Sequence, residues 1–371
     1  MIPKAAASMR PLVAPYIETL KPYAPGKPIE ETEREYGITG VVKLASNENP
    51  LGPSPLAIEA IEAAARKVNL YPDGSSYSLI RRLAEFLGVQ PTEVFVGNGS
   101  NEIIELMIRT FTTPEDEALL CKGSFLMYKV ALQSHGRPFV EVPMQAGFRY
   151  DLAAMAARIS PRTRLIFLAN PDNPTGTAFS RSELEHFLDQ VPPACFVVLD
   201  EAYFEYVNWP EYPNGMNYFR KIPNLVVLRT YSKIYGLAGV RLGYGIMQSQ
   251  LTAYLHRTRM PFNLSSLTQA AGIAALDDFE HVVTTRETTH RGLRYLEREL
   301  RNLGIQVPQS YANFVFADLG RPAQPIYEQL LRRGLITRPI PNYGFPNALR
   351  ISVGLHSQNE RLVAALKELI G

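Results

Sequence analysis

Cysteine is scarce in this 371-residue chain, and the features missing beside it narrow the chemistry that the chain can perform. The two cysteines, Cys121 and Cys195, lie in or beside apolar runs. No Cys-x-x-Cys pair and no histidine cluster has the spacing of a metal site. We therefore expect reduced core thiols in a cytoplasmic protein and no structural zinc or other metal.

The chain also lacks a large excess of either positive or negative charge. The chain has 38 Lys and Arg against 36 Asp and Glu, and no run of like charges is long enough for a nucleic-acid or membrane arm. No stretch of about 18 apolar residues occurs, and residues 1–20 lack the continuous apolar core of a signal peptide. We expect a soluble protein whose partners are small molecules.

Short apolar runs alternate with helix-like stretches through the middle of the chain, which predicts a mostly parallel sheet covered on both faces by helices. The glycine-rich run at 241–247 predicts an added antiparallel strand. The length predicts a second, smaller domain, and the fold class is α/β. The predicted strands of the sheet are residues 117–121, 138–142, 163–169, 195–199 and 225–228.

Polar side chains follow three of these strands at the point where each strand ends. Asn170 and Asp200 come directly at strand ends, and Lys233 follows a third strand. Because ligands of open α/β sheets bind at the carboxyl ends of the strands, we expect these side chains to lie close together.

Residues 230–244 contain Ser232, Lys233 and Arg241 among glycines and small residues. Burial and a neighbouring cation both favour the neutral form of a lysine amine, which is the form that attacks a carbonyl. Arginine and a serine hydroxyl can hold a phosphate. The combination indicates pyridoxal phosphate bound to Lys233, although an isolated Ser-Lys pair is more often an exposed loop.

Two further patterns fit a cofactor site, and each has a simpler interpretation. The glycine turn at residues 97–102 leads into a helix, which makes an anion site, but it matches a dinucleotide fingerprint only in part because the third glycine is Glu102. Asp200 can pair with a pyridinium nitrogen, and Asn170 and Tyr203 can donate to a phenolic oxygen. Alone, these three are equally compatible with a loop cap, an Asx turn and a packed aromatic.

The order of these motifs, Asn-Pro-x-Asn-Pro-Thr-Gly, Asp-Glu-Ala-Tyr and Ser-Lys followed by Arg241, resembles that of the fold type I pyridoxal-phosphate aminotransferases. The resemblance extends over nearly the whole chain, from residues 21–26 and 44–50 to 334–338 and 349–354. It implies a three-layer α/β/α large domain and a smaller α+β domain. The implied boundaries are 1–46 for an arm and part of the small domain, 47–285 for the large domain and 286–371 for the small domain.

The resemblance also implies a role for each matching residue. Lys233 would be the Schiff-base lysine and proton shuttle, Asp200 the pyridinium partner, and Asn170 and Tyr203 the ligands of the phenolic oxygen. Phe125 would stack on the ring without the hydroxyl that the family often has there. The remaining implied contacts are Ser100, Asn101, Ser232 and Arg241 at the phosphate, Tyr71 at the same phosphate from the other subunit of a homodimer, and Arg350, Arg338, Tyr23 and Asn170 at the substrate.

Within that family the motifs are most similar to the branch that transfers the amino group of histidinol phosphate to 2-oxoglutarate. An aromatic or broad-specificity aminotransferase and a decarboxylase of a phosphorylated amino acid remain open, because the sequence does not display the shape of the pocket. A regulator that only binds the cofactor is disfavoured, since no helix-turn-helix or basic stripe is present. A nicotinamide-dependent oxidoreductase is disfavoured by the incomplete glycine fingerprint.

Overall fold

The computed structural model describes residues 11–20 and 26–370. Its helices are α1 (Pro15–Glu18), α2 (Ile29–Tyr36), α3 (Pro55–Ala65), α4 (Tyr77–Leu87), α5 (Ser100–Phe111), α6 (Leu126–Ser134), α7 (Leu152–Ala156), α8 (Arg181–Leu188), α9 (Ser249–Thr258), α10 (Ser266–Ala275), α11 (Phe279–Asn302), α12 (Ala323–Arg332) and α13 (His356–Ile370). Its strands are β1 (Val42–Lys43), β2 (Val94–Asn98), β3 (Glu117–Cys121), β4 (Phe139–Val142), β5 (Thr163–Ala169), β6 (Phe196–Asp200), β7 (Leu225–Thr230), β8 (Leu242–Ile246), β9 (Phe314–Asp318), β10 (Leu335–Ile336), β11 (Arg338–Ile340) and β12 (Phe345–Ser352).

In the described part of the chain, seven strands form the central sheet in the order β2-β8-β7-β6-β5-β3-β4. Strands β4, β3, β5, β6 and β7 are parallel, and β8 is antiparallel to both β7 and β2. Every residue of β6 and β7 is buried, because helices cover the sheet on both faces. The predicted α/β class and the predicted antiparallel strand are therefore confirmed.

The register of the central strands brings their carboxyl ends to one edge of the sheet. Ala169 at the end of β5 pairs with Asp200 at the end of β6, and Asp200 pairs with Leu228 near the end of β7. Lys233 follows β7 by three residues. Parallel pairing thus places residues that are far apart in the sequence at a common edge.

A second apolar cluster lies in the C-terminal part of the chain. Strands β11, β12 and β9 form an antiparallel sheet, and buried residues of α11, α12 and α13 pack with it. Strand β1 pairs in parallel with β10, which joins the N-terminal segment to this unit. The two clusters support the domain boundaries at 46/47 and 285/286, which stay a prediction.

The starts of α3 and α11 are held together by one pair of side chains. Ser54 caps α3 by accepting a hydrogen bond from the Ala57 N–H at 3.3 Å, and its hydroxyl donates to Asp278 at 2.5 Å. Asp278 also accepts from the His281 N–H at the start of α11. The helical region is interrupted between α10 and α11 at residues 276–278. No helix among the described residues has the length and apolar character needed to cross a membrane.

Candidate active site

A cavity of about 270 Å³ opens at the carboxyl edge of β5, β6 and β7. Within the described residues, no group of three His, Cys, Asp or Glu side chains is placed to hold a metal ion. The cavity wall brings together most of the residues that the sequence singles out: Ser100, Asn101, Phe125, Asp200, Tyr203, Ser232, Lys233 and Arg241.

Lys233 is half-buried in this cavity, which excludes the interpretation of an exposed loop lysine. Its Nζ donates a hydrogen bond to the Ser46 carbonyl at 3.3 Å. Desolvation lowers the pKa of Lys233 to about 8, with the charges of Arg350 and Arg241 acting in the same direction. About a tenth of the amine is therefore neutral at pH 7, far more than for an ordinary lysine, and the neutral form is the one that acts as a nucleophile or a base.

Asp200 ends β6 with its carboxylate buried, 4% exposed. It accepts hydrogen bonds from the Tyr128 hydroxyl at 2.8 Å and from the Ala202 N–H at 3.1 Å. Desolvation raises the pKa of Asp200 to about 6, although both hydrogen bonds oppose that rise. A cationic nitrogen placed against this carboxylate would restore its preference for the ionised form.

The other end of the cavity is built to hold an anion. Helix α5 begins at Ser100 directly after Gly99, whose φ of 72° is in the left-handed region that favours glycine. The first N–H groups of a helix have no intrahelical acceptor, so those of Ser100 and Asn101 attract negative charge. A Cβ at Gly99 would lie 2.5 Å from Nη2 of Arg241, so only glycine lets the guanidinium approach so closely. Ser232 adds a hydroxyl to this end.

Tyr203 lies on the cavity wall beside Lys233, and its hydroxyl accepts a hydrogen bond from Nδ2 of Asn47 at 3.0 Å. Burial raises the pKa of Tyr203 above its ordinary value, while Arg350 and the Asn47 amide oppose the rise. The hydroxyl therefore keeps its proton and remains available as a donor.

Asn47 lies in a polar segment that contains Pro50, yet it is buried, at 1% exposed. Its backbone N–H and its Oδ1 both bond to the Ser352 hydroxyl, and its carbonyl accepts from Asn313. Burial of this asparagine is tolerated because its polar groups all have partners.

Asn170 does not line the cavity, and its predicted contact with a phenolic oxygen needs correction. Its Oδ1 accepts from the Phe179 N–H at 3.0 Å, and its Nδ2 donates to the Phe179 carbonyl at 3.3 Å. Both ends of the amide thus form hydrogen bonds with the backbone of Phe179. The asparagine of the same motif that does face the cavity is Asn173, three residues later.

Arg350 on β12 reaches the cavity through Asn173. Its Nη1 donates to Oδ1 of Asn173 at 2.6 Å, and its Nη2 donates to the Ala45 carbonyl at 2.6 Å. Its Nε is buried and has no hydrogen-bond partner in the described part of the chain. An anion beside the guanidinium would satisfy a donor that the protein leaves unpaired.

Two of the remaining predicted residues, Arg338 and Tyr71, do not line the cavity. Arg338 pairs in register with Arg350 across β11 and β12 but lines a separate cavity of about 350 Å³, beside Tyr327. Tyr71 is 84% exposed, stacks on Phe262 at 4.9 Å, and does not line the cavity of its own chain. Tyr23 lies outside the described residues.

Sequence reasoning missed several residues of this cavity and its supports, and four of them have side chains that matter for the site: Asn173, Tyr128, Glu48 and Asn47. Asn173 carries the same Asn-Pro signal as Asn170, and Tyr128 lies one helical turn after Phe125 on α6, where a second cavity-facing side chain is expected. Glu48 and Asn47 lie in the polar loop after β1, and Glu48 lines the cavity. That loop is bounded by a strand and Pro50, a common setting for functional residues.

Comparison with known proteins places the same features in a family. A family model described as aminotransferase class I and II matches residues 39–366. The histidinol-phosphate aminotransferase of Anaeromyxobacter sp. (strain Fw109-5) is 55% identical over 362 residues, which cover 97% of this chain and 100% of that protein. That of Moorella thermoacetica is 46% identical, covering 95% and 92%. The crystal structure of histidinol-phosphate aminotransferase from Sinorhizobium meliloti in complex with pyridoxal-5'-phosphate covers 98% of both chains, with a TM-score of 0.89 and 28% identity.

Proposed function

This chain belongs to the aminotransferase class I and II family, and we propose that it is a pyridoxal-phosphate-dependent enzyme acting on histidinol phosphate and 2-oxoglutarate. The products would be imidazole acetol phosphate and L-glutamate, a step of histidine biosynthesis. The observation that carries this substrate is the 55% identity, over the full length of the relative, to a histidinol-phosphate aminotransferase. A cytoplasmic location stays a prediction.

The cavity fits pyridoxal phosphate at three points. Lys233, an amine with a lowered pKa, would hold the aldehyde carbon covalently. The start of α5, Ser232 and Arg241 would hold the phosphate, because Gly99 leaves room for the guanidinium beside the helix N-terminus. Asp200 would hold the ring nitrogen. When bound, the cofactor supplies an electron-withdrawing ring that stabilises the negative charge left when the substrate Cα–H bond breaks.

Four residues would act around that ring. Asp200 would keep the ring nitrogen protonated, since a buried carboxylate whose pKa is raised gains from a cationic partner. Tyr203 and Asn173 would donate hydrogen bonds to the phenolic oxygen, and Asn173 would take the place that we predicted for Asn170. Phe125 would cover one face of the ring.

Lys233 would also move the proton that the reaction transfers. Its Nζ would lie beside the substrate Cα, where an amine with a lowered pKa can accept a proton and then give it back. The positive charges of Arg350 and Arg241 near Lys233 favour this return.

Arg350 would bind the anionic group of either substrate. Histidinol phosphate carries an imidazole ring and a phosphate, whereas 2-oxoglutarate has no ring and carries carboxylates. A guanidinium pairs with both kinds of anion. The free Nε and the orientation fixed by Asn173 and Ala45 support this role. Arg338 and Tyr23 would lie near the same anion, as the resemblance implies.

We also propose a homodimer in which Tyr71 reaches the phosphate of the partner subunit. Its ring is exposed on this chain and does not line the cavity of this chain, so a direct contact with the cofactor requires a second copy. The aromatic pair with Phe262 holds the ring in place on the surface.

Two experiments test the proposed function. Turnover of histidinol phosphate is compared with that of phenylalanine and tyrosine, each with 2-oxoglutarate. We expect the highest kcat/KM with histidinol phosphate, and a preference for the aromatic amino acids would indicate the broad-specificity alternative. Replacement of Lys233 by Ala is expected to abolish transfer and the visible absorbance of the bound cofactor. A variant that kept both would exclude Lys233 as the attachment site.

A further inference from the structure

We propose that Asp172 is a positioning residue for the cofactor ring: its buried carboxylate joins the loop that carries Phe125 to the loop that carries Asn173. This inference rests on the proposed function. Asp172 is fully buried, at 0% exposed, and it does not line the cavity. It therefore acts through its neighbours and touches neither ring nor substrate.

One oxygen of Asp172 holds the Phe125 side of the cavity. The Ser124 hydroxyl donates to Oδ1 of Asp172 at 2.5 Å. Ser124 directly precedes Phe125, which is the residue from which α6 begins. Tyr128, one turn into α6, lines the cavity and donates to Asp200. The Ser124 contact thus fixes the start of the helix that presents both aromatic rings.

The other oxygen closes the loop that carries Asn173. Oδ2 of Asp172 accepts from the Thr175 hydroxyl at 2.9 Å and from the Thr175 N–H at 3.3 Å. The backbone of the same loop closes through the Asp172 N–H to the Thr177 carbonyl and the Gly176 N–H to the Asp172 carbonyl. Pro171 and Asn173, on either side of Asp172, both line the cavity.

The direction of the hydrogen bonds explains why a carboxylate is needed here. The Ala169 N–H donates to the Tyr150 hydroxyl at 3.1 Å, and that hydroxyl lies 2.6 Å from the Ser124 hydroxyl, which donates to Asp172. A backbone N–H can only donate and an ionised carboxylate can only accept, so the chain runs one way. At the other oxygen, Thr175 supplies two donors. An asparagine in this place would have its NH₂ group facing either the Ser124 hydroxyl donor or the two donors of Thr175.

The charge state agrees with this geometry. Burial raises the pKa of Asp172 to about 6, and the hydrogen bonds from Ser124 and Thr175 oppose that rise. The carboxylate is therefore mostly ionised at neutral pH, as an acceptor-only group requires.

The experiment compares the complete enzyme, saturated with pyridoxal phosphate, with its Asp172→Asn and Ser124→Ala variants. The readouts are the visible circular dichroism of the bound cofactor, its dissociation constant from a fluorescence titration, and kcat and KM. For Asp172→Asn we expect a changed visible dichroism and binding of the cofactor that is about tenfold weaker, because one donor is left facing another. Ser124→Ala removes one link only and is expected to change the dichroism in the same sense by a smaller amount.

Asp278→Asn is the matched control, since Asp278 is another buried aspartate that bonds to a serine hydroxyl but lies at the starts of α3 and α11, away from the ring. It is expected to lower the stability without changing the visible dichroism. Unchanged dichroism and cofactor affinity in Asp172→Asn, or an equal change in Asp278→Asn, would overturn the proposal. If Asp172→Asn does not fold, Ser124→Ala decides: unchanged dichroism then overturns the proposal. A parent protein that shows no cofactor signal would refute the proposed function, which separates the two failures.

Discussion

Nη1 of Arg350 donates a hydrogen bond to Oδ1 of Asn173 across 2.6 Å, and this contact joins the small sheet to the loop after β5. Asn173 has one amide with two ends. Its oxygen orients the guanidinium, so its NH₂ group is directed away from Arg350 and is available toward the cavity that Asn173 lines. The residue proposed to bind the substrate anion and a residue of the cavity wall are therefore joined by a direct hydrogen bond.

Arg350→Lys is expected to lower kcat/KM by about 100-fold for both substrates. A single ammonium cannot bond at once to Asn173, to the Ala45 carbonyl and to a substrate anion, whereas the guanidinium has five donors. Steady-state kinetics with each substrate in turn measures the effect. Arg220→Lys, which alters an exposed ion pair with Glu93, is the control and is expected to leave both values unchanged. A loss confined to one substrate would contradict a shared anion site.

Asn170→Ala is expected to lower mainly the stability, and Asn173→Ala mainly the activity. Asn170→Ala leaves the Phe179 N–H and carbonyl without partners, so we expect a loss of about 2 kcal/mol in the free energy of unfolding. Asn173→Ala releases Arg350 and removes a cavity donor, so we expect the larger loss in kcat/KM. Urea unfolding and steady-state kinetics on both variants separate the two effects. A larger loss in kcat/KM for Asn170→Ala than for Asn173→Ala would support the original prediction that Asn170 contacts the cofactor.

These two asparagines show where sequence reasoning succeeds and where it stops. The strand ends are visible in the sequence because buried parallel strands are continuous apolar runs, and that placed Asp200 and Lys233 at the same edge of the sheet. Asn170 and Asn173 carry the same Asn-Pro signal. Which of the two amides bonds to the backbone depends on how the loop folds back on Phe179. The local sequence pattern does not predict this.

Long-range polar contacts are the other part that the sequence does not reveal. Asn47 is polar and lies beside Pro50, so local composition predicts an exposed loop, yet it is buried against Ser352 and Asn313. These partners lie 305 and 266 residues away in the chain. Only the folded structure shows that they satisfy its polar groups.

As the pH rises from about 4 to about 6, the burial of Asp200 should lower the free energy of unfolding of the cofactor-free protein. The pKa of Asp200 is about 6 in the folded chain and lower in the unfolded chain, so the folded state binds more protons in this range and the free energy of unfolding falls as the pH rises. The penalty is complete above pH 6 and is on the order of 3 kcal/mol. The free energy of unfolding of Asp200→Asn should therefore fall less than that of the parent between pH 4 and pH 6.

Urea unfolding of the cofactor-free proteins across this pH range checks that expectation. Asp277→Asn serves as the control, since it removes an aspartate from an exposed ion pair with Arg82 and leaves the buried carboxylate of Asp200 in place. Parallel pH curves for Asp200→Asn and the parent would show that the buried carboxylate does not carry this penalty.

A mixture of two inactive variants should recover activity if Tyr71 acts across a dimer. Lys233→Ala lacks the amine, and Tyr71→Ala should bind the phosphate poorly in the site to which Tyr71 contributes. In a hybrid dimer, one site then lacks both groups and the other lacks neither, so random pairing should give about a quarter of the parent activity. Lys233→Ala mixed with Asp200→Ala is the control, because both side chains line the cavity of one chain and no hybrid site is complete. Mixtures are refolded together and assayed with histidinol phosphate. Recovery in neither mixture, with hybrids present, would place Tyr71 outside the partner's site.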